Sequence, residues 1–281
     1  MTTIGVTGVT GHLGRFAAEQ LIAAGTDRIV GLARSPEKAT VSGLDVRTGD
    51  YDRPETLVEA LKGVDVLLFV SGNEVGRRIG QHTNVVEAAK AAGVGRVVYT
   101  SAPRADATEL VVAPDHKATE ELLRASGLEW TILRNNWYVE LYTGQLTRYL
   151  ADGAIVSAAG AGRVGVVPRA DLAAGAVAAV TGDGHAGRIY ELGGPPITLD
   201  DLAATITEVT GTTVTHRSVS PAELVAALRA GGLDEGTAGF VAAIDEAIAR
   251  GDLDVPSEDL PNLLGRPVTP LAYSIRAALT P

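Results

Sequence analysis

The chain has 281 residues, 46% of them hydrophobic and 21% charged, enough to bury a sizeable core and to exclude a disordered chain. A formal charge of −10 argues against a nucleic-acid face or an anionic membrane surface. The absence of cysteine excludes disulfides, thiolate metal sites and Cys nucleophiles, and fits a reducing cytoplasm.

Over the first 135 residues, short β-branched runs alternate with helical patterns. Strands are expected at 4–7, 28–33, 44–47, 65–70, 96–100 and 130–134, with helices at 12–24, 36–41, 54–61, 75–92 and 114–126. Leu13, Phe16, Ala17, Leu21 and Ala24 share one face of the first helix. Asp52 is placed to cap the helix that Pro54 opens, and Gly25, Gly63, Gly93 and Gly127 sit just past helix ends. Strands with little in–out alternation, separated by helices, predict a doubly wound α/β fold, a parallel sheet covered on both faces. No apolar run reaches the length of a membrane span, and the early first strand is expected to leave no room for a signal peptide.

Further along the rhythm loosens. An Ala/Gly stretch at 153–165 leads into Val166-Val167-Pro168-Arg169-Ala170-Asp171 and an alanine-rich helix, with Asp171 expected at its N-cap. A strand at 188–192, a helix at 199–210, a strand at 213–219 and helices at 221–230 and 237–250 follow, and acidic 252–259 reads as a solvated loop. Residues 1–152 are read as one domain. Residues 153–281 are expected to complete its sheet and to form a small C-terminal α/β lobe beside the substrate pocket, not an independent domain.

The first turn carries the clearest chemistry. Thr7-Gly8-Val9-Thr10-Gly11-His12-Leu13-Gly14 leaves a strand and opens a helix. One glycine allows the tight turn, one lets a diphosphate approach the backbone, and one lets helix and strand pack closely. The helix N-terminus at His12 and Leu13 offers free N–H groups to an anion, and Thr7 and Thr10 add hydroxyls. This is a dinucleotide-binding (Rossmann) loop, and the first domain is read accordingly. NAD binders place a carboxylate about 20 residues on, for the ribose hydroxyls. Here Arg34 stands there, with Ser35 and Lys38 nearby and Glu37 between them. A guanidinium pairs with a 2′-phosphate, so NADPH is the expected cofactor.

These residues resemble the atypical short-chain dehydrogenase/reductases and, more narrowly, their NmrA-like branch. Within it the chain is most similar to the bacterial NAD(P)H:quinone oxidoreductases of the second type. The likeness spans essentially the whole chain. It is carried by Asp50-Tyr51, by Ser71-Gly72-Asn73-Glu74-Val75-Gly76-Arg77, by Gln81-His82-x-Asn84-Val85 and by Tyr99-Thr100-Ser101. His116 before a helix, Leu133-Arg134-Asn135-Asn136-Trp137-Tyr138, Arg169-Ala170-Asp171, Tyr190-Glu191-Leu192 and Leu264–Thr269 extend it. The resemblance implies that Asp50, Tyr51, Glu74, Arg77 and Ser101 belong to the cofactor surroundings. A pairing of Glu74 with Arg77 alone stays open beside that. His82 reads as a satisfied packing or surface histidine.

In an open α/β sheet the ligand lies beyond the carboxyl ends of the strands. Ser71, Gly72 and Asn73 should then run beside the nicotinamide ribose, and Asn135, Asn136, Trp137 and Tyr138 should flank the ring or the substrate, with core packing as the alternative for the two aromatics. In many relatives of this kind a Tyr stands four residues before a Lys and protonates the reduced substrate; here those places are Ala113 and Lys117. An alkoxide needs such an acid, whereas a reduced quinone is a phenolate-like anion whose conjugate acid titrates near ~10. The expected reaction is hydride transfer from NADPH to a quinone or a similarly activated acceptor. Asn136, Trp137, Tyr138, His116 and Lys117 are the candidate catalytic residues. Two alternatives stay open: an NADP-sensing regulator without turnover, and reduction of another activated C=C or C=N bond. No histidine pair has metal-ligand spacing and no metal is expected. The expected partner is a small quinone-like molecule, with no nucleic acid and no membrane span; homodimerisation stays open.

Overall fold

The computed structural model describes residues 2–26 and 28–280. Strands β1 (Thr3–Thr7), β2 (Arg28–Ala33), β3 (Asp45–Thr48), β4 (Val66–Phe69), β5 (Arg96–Ser101) and β6 (Glu129–Asn135) alternate with helices α1 (His12–Ala23), α2 (Pro54–Ala60), α3 (Arg78–Ala92) and α4 (Ala113–Ala125). After α5 (Glu140–Thr143) and α6 (Leu146–Asp152) come β7 (Ala154–Ser157), α7 (Arg169–Thr181), β8 (Arg188–Leu192), α8 (Leu199–Thr210) and β9 (Thr215–Ser218). Helices α9 (Pro221–Ala230), α10 (Glu235–Arg250), α11 (Asp259–Leu264) and α12 (Leu271–Leu279) end the chain. Seven strands form one parallel sheet in the order β3-β2-β1-β4-β5-β6-β8. The chain reverses direction across the sheet between β1 and β4, which opens the crevice in which such folds bind ligands.

Both faces of the sheet are apolar, as the unbroken strand runs require. On one face α1 and α7 pack through small residues, Ala17 and Ala18 among Ala173, Ala176 and Ala179, so alanine content buys close approach of the helices. Leu57, Leu61, Val85 and Ala89 of the α2 and α3 region cover the other face together with Leu123 of α4. The C-terminal lobe has its own core of Leu202, Ile206, Ile244 and Ile248, and that core reaches α4 through Leu110 and Ala113.

Several expectations change here. The Ala/Gly stretch hides β7, which pairs in parallel with β9 in a separate two-stranded sheet. Helix α3 begins at Arg78, later than expected, because Gly76 takes a left-handed φ of +83° that no α-helix accommodates. Only Pro36–Lys38 of the expected second helix forms, as a single 3-10 turn. Asp52 does not cap α2; its carboxylate accepts from Arg77 at 2.8 Å and from Gln81 at 3.2 Å. Asp171 is not an N-cap either. Pro168 holds that place, and Asp171 is buried in the first turn of α7, where it accepts from Arg266, from the Thr269 amide and from the Thr269 hydroxyl at 3.0 Å. The acidic 252–259 segment is not simply solvated: Leu253 and Val255 are buried, and Asp259 accepts from the Glu191 amide at 2.9 Å. Among the described residues no helix is long and apolar enough to cross a membrane.

In the lobe, Ser157 Oγ lies 2.8 Å from His216 Nε2, and His216 Nδ1 lies 3.3 Å from Asp200. The order of groups is that of a hydrolase triad, but Ser157 is buried inside the lobe with its hydroxyl also accepting from the Ala159 amide at 3.3 Å, so its bonds are spent on packing. The chain of bonds instead ties β7 to β9 and α8.

Because Asp171 satisfies three donors at the junction of α7 with the C-terminal segment, Asp171→Ala is expected to lower the unfolding free energy by about 2–3 kcal/mol. Arg266→Ala, which removes one half-exposed partner, should cost under about 1 kcal/mol. Urea denaturation of both variants against the wild type measures the difference.

Candidate functional site

The glycine loop adopts the geometry its spacing implies. Gly8 has a φ of +64°, which only glycine takes without strain, and its carbonyl accepts from the Gly11 amide at 2.8 Å. A Cβ on Gly14 would come within 2.7 Å of the Thr7 carbonyl, so α1 sits closer to β1 than any side chain would permit. Gly11 is the N-cap of α1 and no side chain caps the helix, which leaves its first-turn N–H groups facing outwards for an anion.

A cleft of about 420 Å³ runs from this loop across the ends of β1, β2 and β4. Gly8, Thr10, Gly11, His12 and Leu13 form one wall, and Arg34, Asp50 and Tyr51 close the β2 side. Ser71, Gly72 and Asn73 line the opposite wall, and Tyr138 closes the far end. Leu32, Ala33, Gly49, Val70, Glu74, Gln81 and Arg169 complete it. A larger groove, about 1050 Å³, lies at the amino ends of the strands around Asp65, Arg96 and Glu129, on the side of the sheet away from the glycine loop. It is broad, and the fold places its ligand crevice at the carboxyl ends.

Arg34 is 65% exposed at the mouth of the cleft, and its guanidinium lies 3.3 Å from Glu74. Glu74 is also paired with Arg77 at 2.8 Å, and Arg77 with Asp52 at 2.8 Å. Glu74 therefore faces the cleft and pairs with Arg77 as well. Arg77 itself stays outside, on the rim. Ser35 lies at the start of the 3-10 turn and Lys38 is exposed at its end, and neither lines the cleft. Tyr51 turns its ring to the cleft but commits its hydroxyl to the protein, donating to the Val70 carbonyl at 2.7 Å and lying 2.6 Å from Thr7 Oγ1. Burial pushes that hydroxyl well above the usual range, so it stays protonated. At the far end Arg169 stacks on Tyr138, 4.5 Å from the ring centroid. Burial raises the Tyr138 hydroxyl, and the Asn135 side chain and the Arg169 charge offset part of that rise.

The remaining candidates lie elsewhere. Ser101 donates to Glu120 at 2.7 Å and belongs to the Arg134 charge network, not to the cleft. Asn136 is buried with both ends of its amide used, donating to the Leu253 carbonyl at 3.2 Å and accepting from the Trp137 amide at 2.8 Å. Trp137 packs on the lobe core. Asn135 is buried at the end of β6 with its Oδ1 unpartnered. Lys117 is exposed. It lies about 100° round α4 from His116, whose side of the helix faces the sheet.

His116 leads to a cluster the sequence did not announce. Its Nδ1 lies 2.8 Å from Tyr99 Oη, and Tyr99 lies 3.5 Å from His82 Nδ1. His82 in turn lies 2.8 Å from Thr119 and accepts from the Gly72 amide at 3.0 Å, while Arg78 donates to the Gly72 carbonyl at 2.6 Å. The N–H and the C=O of Gly72, which lines the cleft, are thus both held by buried side chains of α3. Arg78 was overlooked beside Arg77, although the i, i+4 spacing from Arg78 to His82 puts both on the buried side of the helix. Burial, with the Arg78 charge second, lowers both imidazoles to about 3.

Comparison with known proteins agrees with this geometry. Residues 8–183 match the model of a family described as NAD(P)H-binding. Quinone oxidoreductase 2 of Escherichia coli K12 is 41% identical over 277 residues, covering 97% of each chain. The crystal structure of the NADPH-dependent quinone oxidoreductase from Escherichia coli complexed with NADPH superposes with a TM-score of 0.95 at 40% identity, over 99% of this chain and 100% of that one. The triphenylmethane reductase of Citrobacter sp., complexed with NADP(H), superposes at 0.92 with 38% identity, over 98% and 99% of the two chains.

The two imidazoles carry a pH dependence. Their folded values, about 3, lie below the unfolded value near 6.5, so unfolding takes up protons as the pH falls below 6.5. Their stabilising contribution is full above pH 6.5 and declines towards pH 3. Between pH 6.5 and 5, above most carboxylates, the unfolding free energy should fall by up to about 1.4 kcal/mol per pH unit for each imidazole. Urea titrations of the wild type and His82→Gln across that window isolate one imidazole, and the wild-type slope should exceed that of the variant by up to about 1.4 kcal/mol per pH unit, whatever Asp245, raised by burial to about 6, adds to both.

Proposed function

The chain belongs to the NAD(P)H-binding family of oxidoreductases, and on that footing we propose that it transfers hydride from NADPH to a quinone or a comparably activated acceptor. The observation that carries this reading is the pairing of an intact dinucleotide cleft with Ala113 in the place of a proton donor.

The residues fit the cofactor. In this reading the glycine loop and the uncapped N-terminus of α1 take the diphosphate, since their N–H groups have no competing side chain. Arg34 takes the 2′-phosphate. Its pairing with Glu74 is exposed and worth roughly 0.2–1 kcal/mol, less than the ~1.5–3 kcal/mol of a hydrogen bond to a charged group, so the phosphate outcompetes the carboxylate. Ser71, Gly72 and Asn73 form the wall along the ribose, and Tyr138 with Arg169 bounds the end where the acceptor enters. When bound, the nicotinamide supplies the hydride. The protein's share is orientation, exclusion of water and hydrogen bonding to the oxygen that becomes negative.

Ala113 favours an acceptor that tolerates this economy. It is 1% exposed, sealed between α4 and the lobe core. A quinone yields an anion that water protonates at leisure, whereas an alkoxide does not wait. The −10 charge and lack of cysteine support a small-molecule partner and a reducing, cytoplasmic setting.

Steady-state oxidation of NADPH with a panel of benzoquinones and naphthoquinones tests the reading. Turnover is expected, and tight NADPH binding with no turnover on any of them would sink it. Arg34→Ala should weaken NADPH binding about 10- to 100-fold, the ~1.5–3 kcal/mol of a charged hydrogen bond, and NADH binding less than about threefold. Equal losses for the two, by fluorescence titration, would remove Arg34 from the phosphate site.

A further inference from the structure

We propose that His116 is held as a neutral imidazole in a single tautomer and offers its Nε2–H to the acceptor oxygen, supplying a hydrogen bond where a tyrosine would supply a proton. The inference rests on the hydride-transfer reading above.

The direction of the buried chain follows from its one obligate donor. A backbone N–H can only donate, so the Gly72 amide fixes His82 Nε2 as an acceptor. A neutral His82 then carries its proton on Nδ1 and gives it to Thr119 Oγ1 at 2.8 Å. Thr119 passes its own proton to the Asp115 carbonyl at 2.8 Å, which can only accept. Tyr99 therefore finds no vacant acceptor on His82. Its proton goes to His116 Nδ1 at 2.8 Å, and the remaining proton of a neutral His116 must lie on Nε2. That nitrogen makes no hydrogen bond to any described residue and is not among the fully enclosed unpartnered atoms. It is the one ring N–H of the cluster left to spend.

Its place suits the task. His116 stands one helical turn beyond Ala113, on the helix that follows β5 at the ligand-binding end of the sheet. Through Tyr99 and His82 it is joined to the Gly72 peptide, so cofactor wall and donor are set by the same bonds. The charged and titratable groups around it are Arg78 and His82 from α3, Tyr99 from β5, and Asp115, Lys117 and Glu120 on its own helix. Burial and the Arg78 charge oppose an imidazolium, so the group donates a hydrogen bond without surrendering the proton. The balance is complete without it: the acceptor gains one hydride with its two electrons and bears one negative charge, and a single proton from water neutralises that charge.

His116→Leu, assayed with NADPH and 1,4-naphthoquinone, should lower kcat about 100-fold, the usual loss of one oxyanion donor, with NADPH affinity within about twofold of wild type. His116→Gln, whose amide nitrogen reaches the place of Nε2, should recover to within about tenfold of wild type. Tyr99→Phe, which removes the partner that fixes His116 Nδ1, should lower kcat about tenfold with KM little changed. Imidazole ¹⁵N NMR of the wild-type protein should show His116 as the neutral Nε2–H tautomer from pH 8 to pH 5. An unchanged kcat in His116→Leu, no recovery in His116→Gln, an Nδ1–H tautomer, or titration near pH 6.5 would each overturn the proposal. The NMR result stands or falls without turnover, so a protein that binds NADPH yet reduces no quinone would end the functional reading while the tautomer is still decided.

Discussion

The split between β1 and β4 is the constraint on which the site depends. Two neighbouring parallel strands whose connections leave in opposite directions must part beyond their carboxyl ends, and something has to stop the gap from widening. Thr7 and Tyr51 do so. The Val70 amide donates to Thr7 Oγ1 at 2.9 Å, the Val70 carbonyl accepts from Tyr51, and the two hydroxyls touch. The end of β1, the turn after β3 and the end of β4 are thereby fixed relative to one another. The glycine loop continues from Thr7 and the Ser71–Asn73 wall from Val70, so this contact sets the width of the cleft. Tyr51 shows why a residue can belong to a ligand site while spending its polar atom on the protein.

A second brace works deeper in the sheet. Arg134, buried on β6, grips both oxygens of Glu120 at 2.9 and 2.7 Å and reaches Asp106 at 2.8 Å and Glu191 at 3.1 Å. Burial alone would weaken its charge, but the three carboxylates more than compensate and hold it protonated. Glu191 also accepts from the amide of Arg104, which has a φ of +47°, so a strained loop residue is held by the same network. β6, α4, β8 and the loop after β5 are pinned together, and α4 has no freedom to turn. That fixes the pentad at its start: Ala113 faces the lobe, His116 the sheet and Lys117 solvent.

Much of this was legible in the sequence and some was not, for identifiable reasons. Strand runs such as Arg28–Ala33 and Val66–Phe69 need no context, because a doubly covered strand is apolar along its length. The glycine loop was equally plain, its three glycines answering three separate backbone demands. Strand β7 was hidden because its residues, Ala154-Ile155-Val156-Ser157, become a strand only through pairing with β9 some 60 residues later. Asp52 and Asp171 misled for a common reason. A carboxylate near a helix start has a local partner on offer, and in both cases a distant arginine outbid it. Asn136 has the composition of a catalytic amide, but nothing local tells that Leu253 lies against it. The histidine cluster joins three elements, so no single segment could show it.

The missing tyrosine takes on a different cast in this setting. Were the pentad a damaged version of a tyrosine site, the space beside Ala113 would be an open slot within the cleft. It is instead filled, with Leu110, Val139, Leu146 and Tyr149 in the same buried cluster, and a ring placed at 113 would overpack that core at a cost of about 1–3 kcal/mol or more. The lobe has closed over the position where an acid would stand, so restoring the acid would mean moving the lobe. One turn further along, where the helix faces the sheet, the chain keeps a hydrogen-bonding group whose protonation state is fixed by its neighbours. On the proposed reading, a site organised this way orients the cofactor and holds a stabilised anion, without an acid at 113. Its choice of acceptor therefore follows from where the lobe packs as much as from any residue within the cleft.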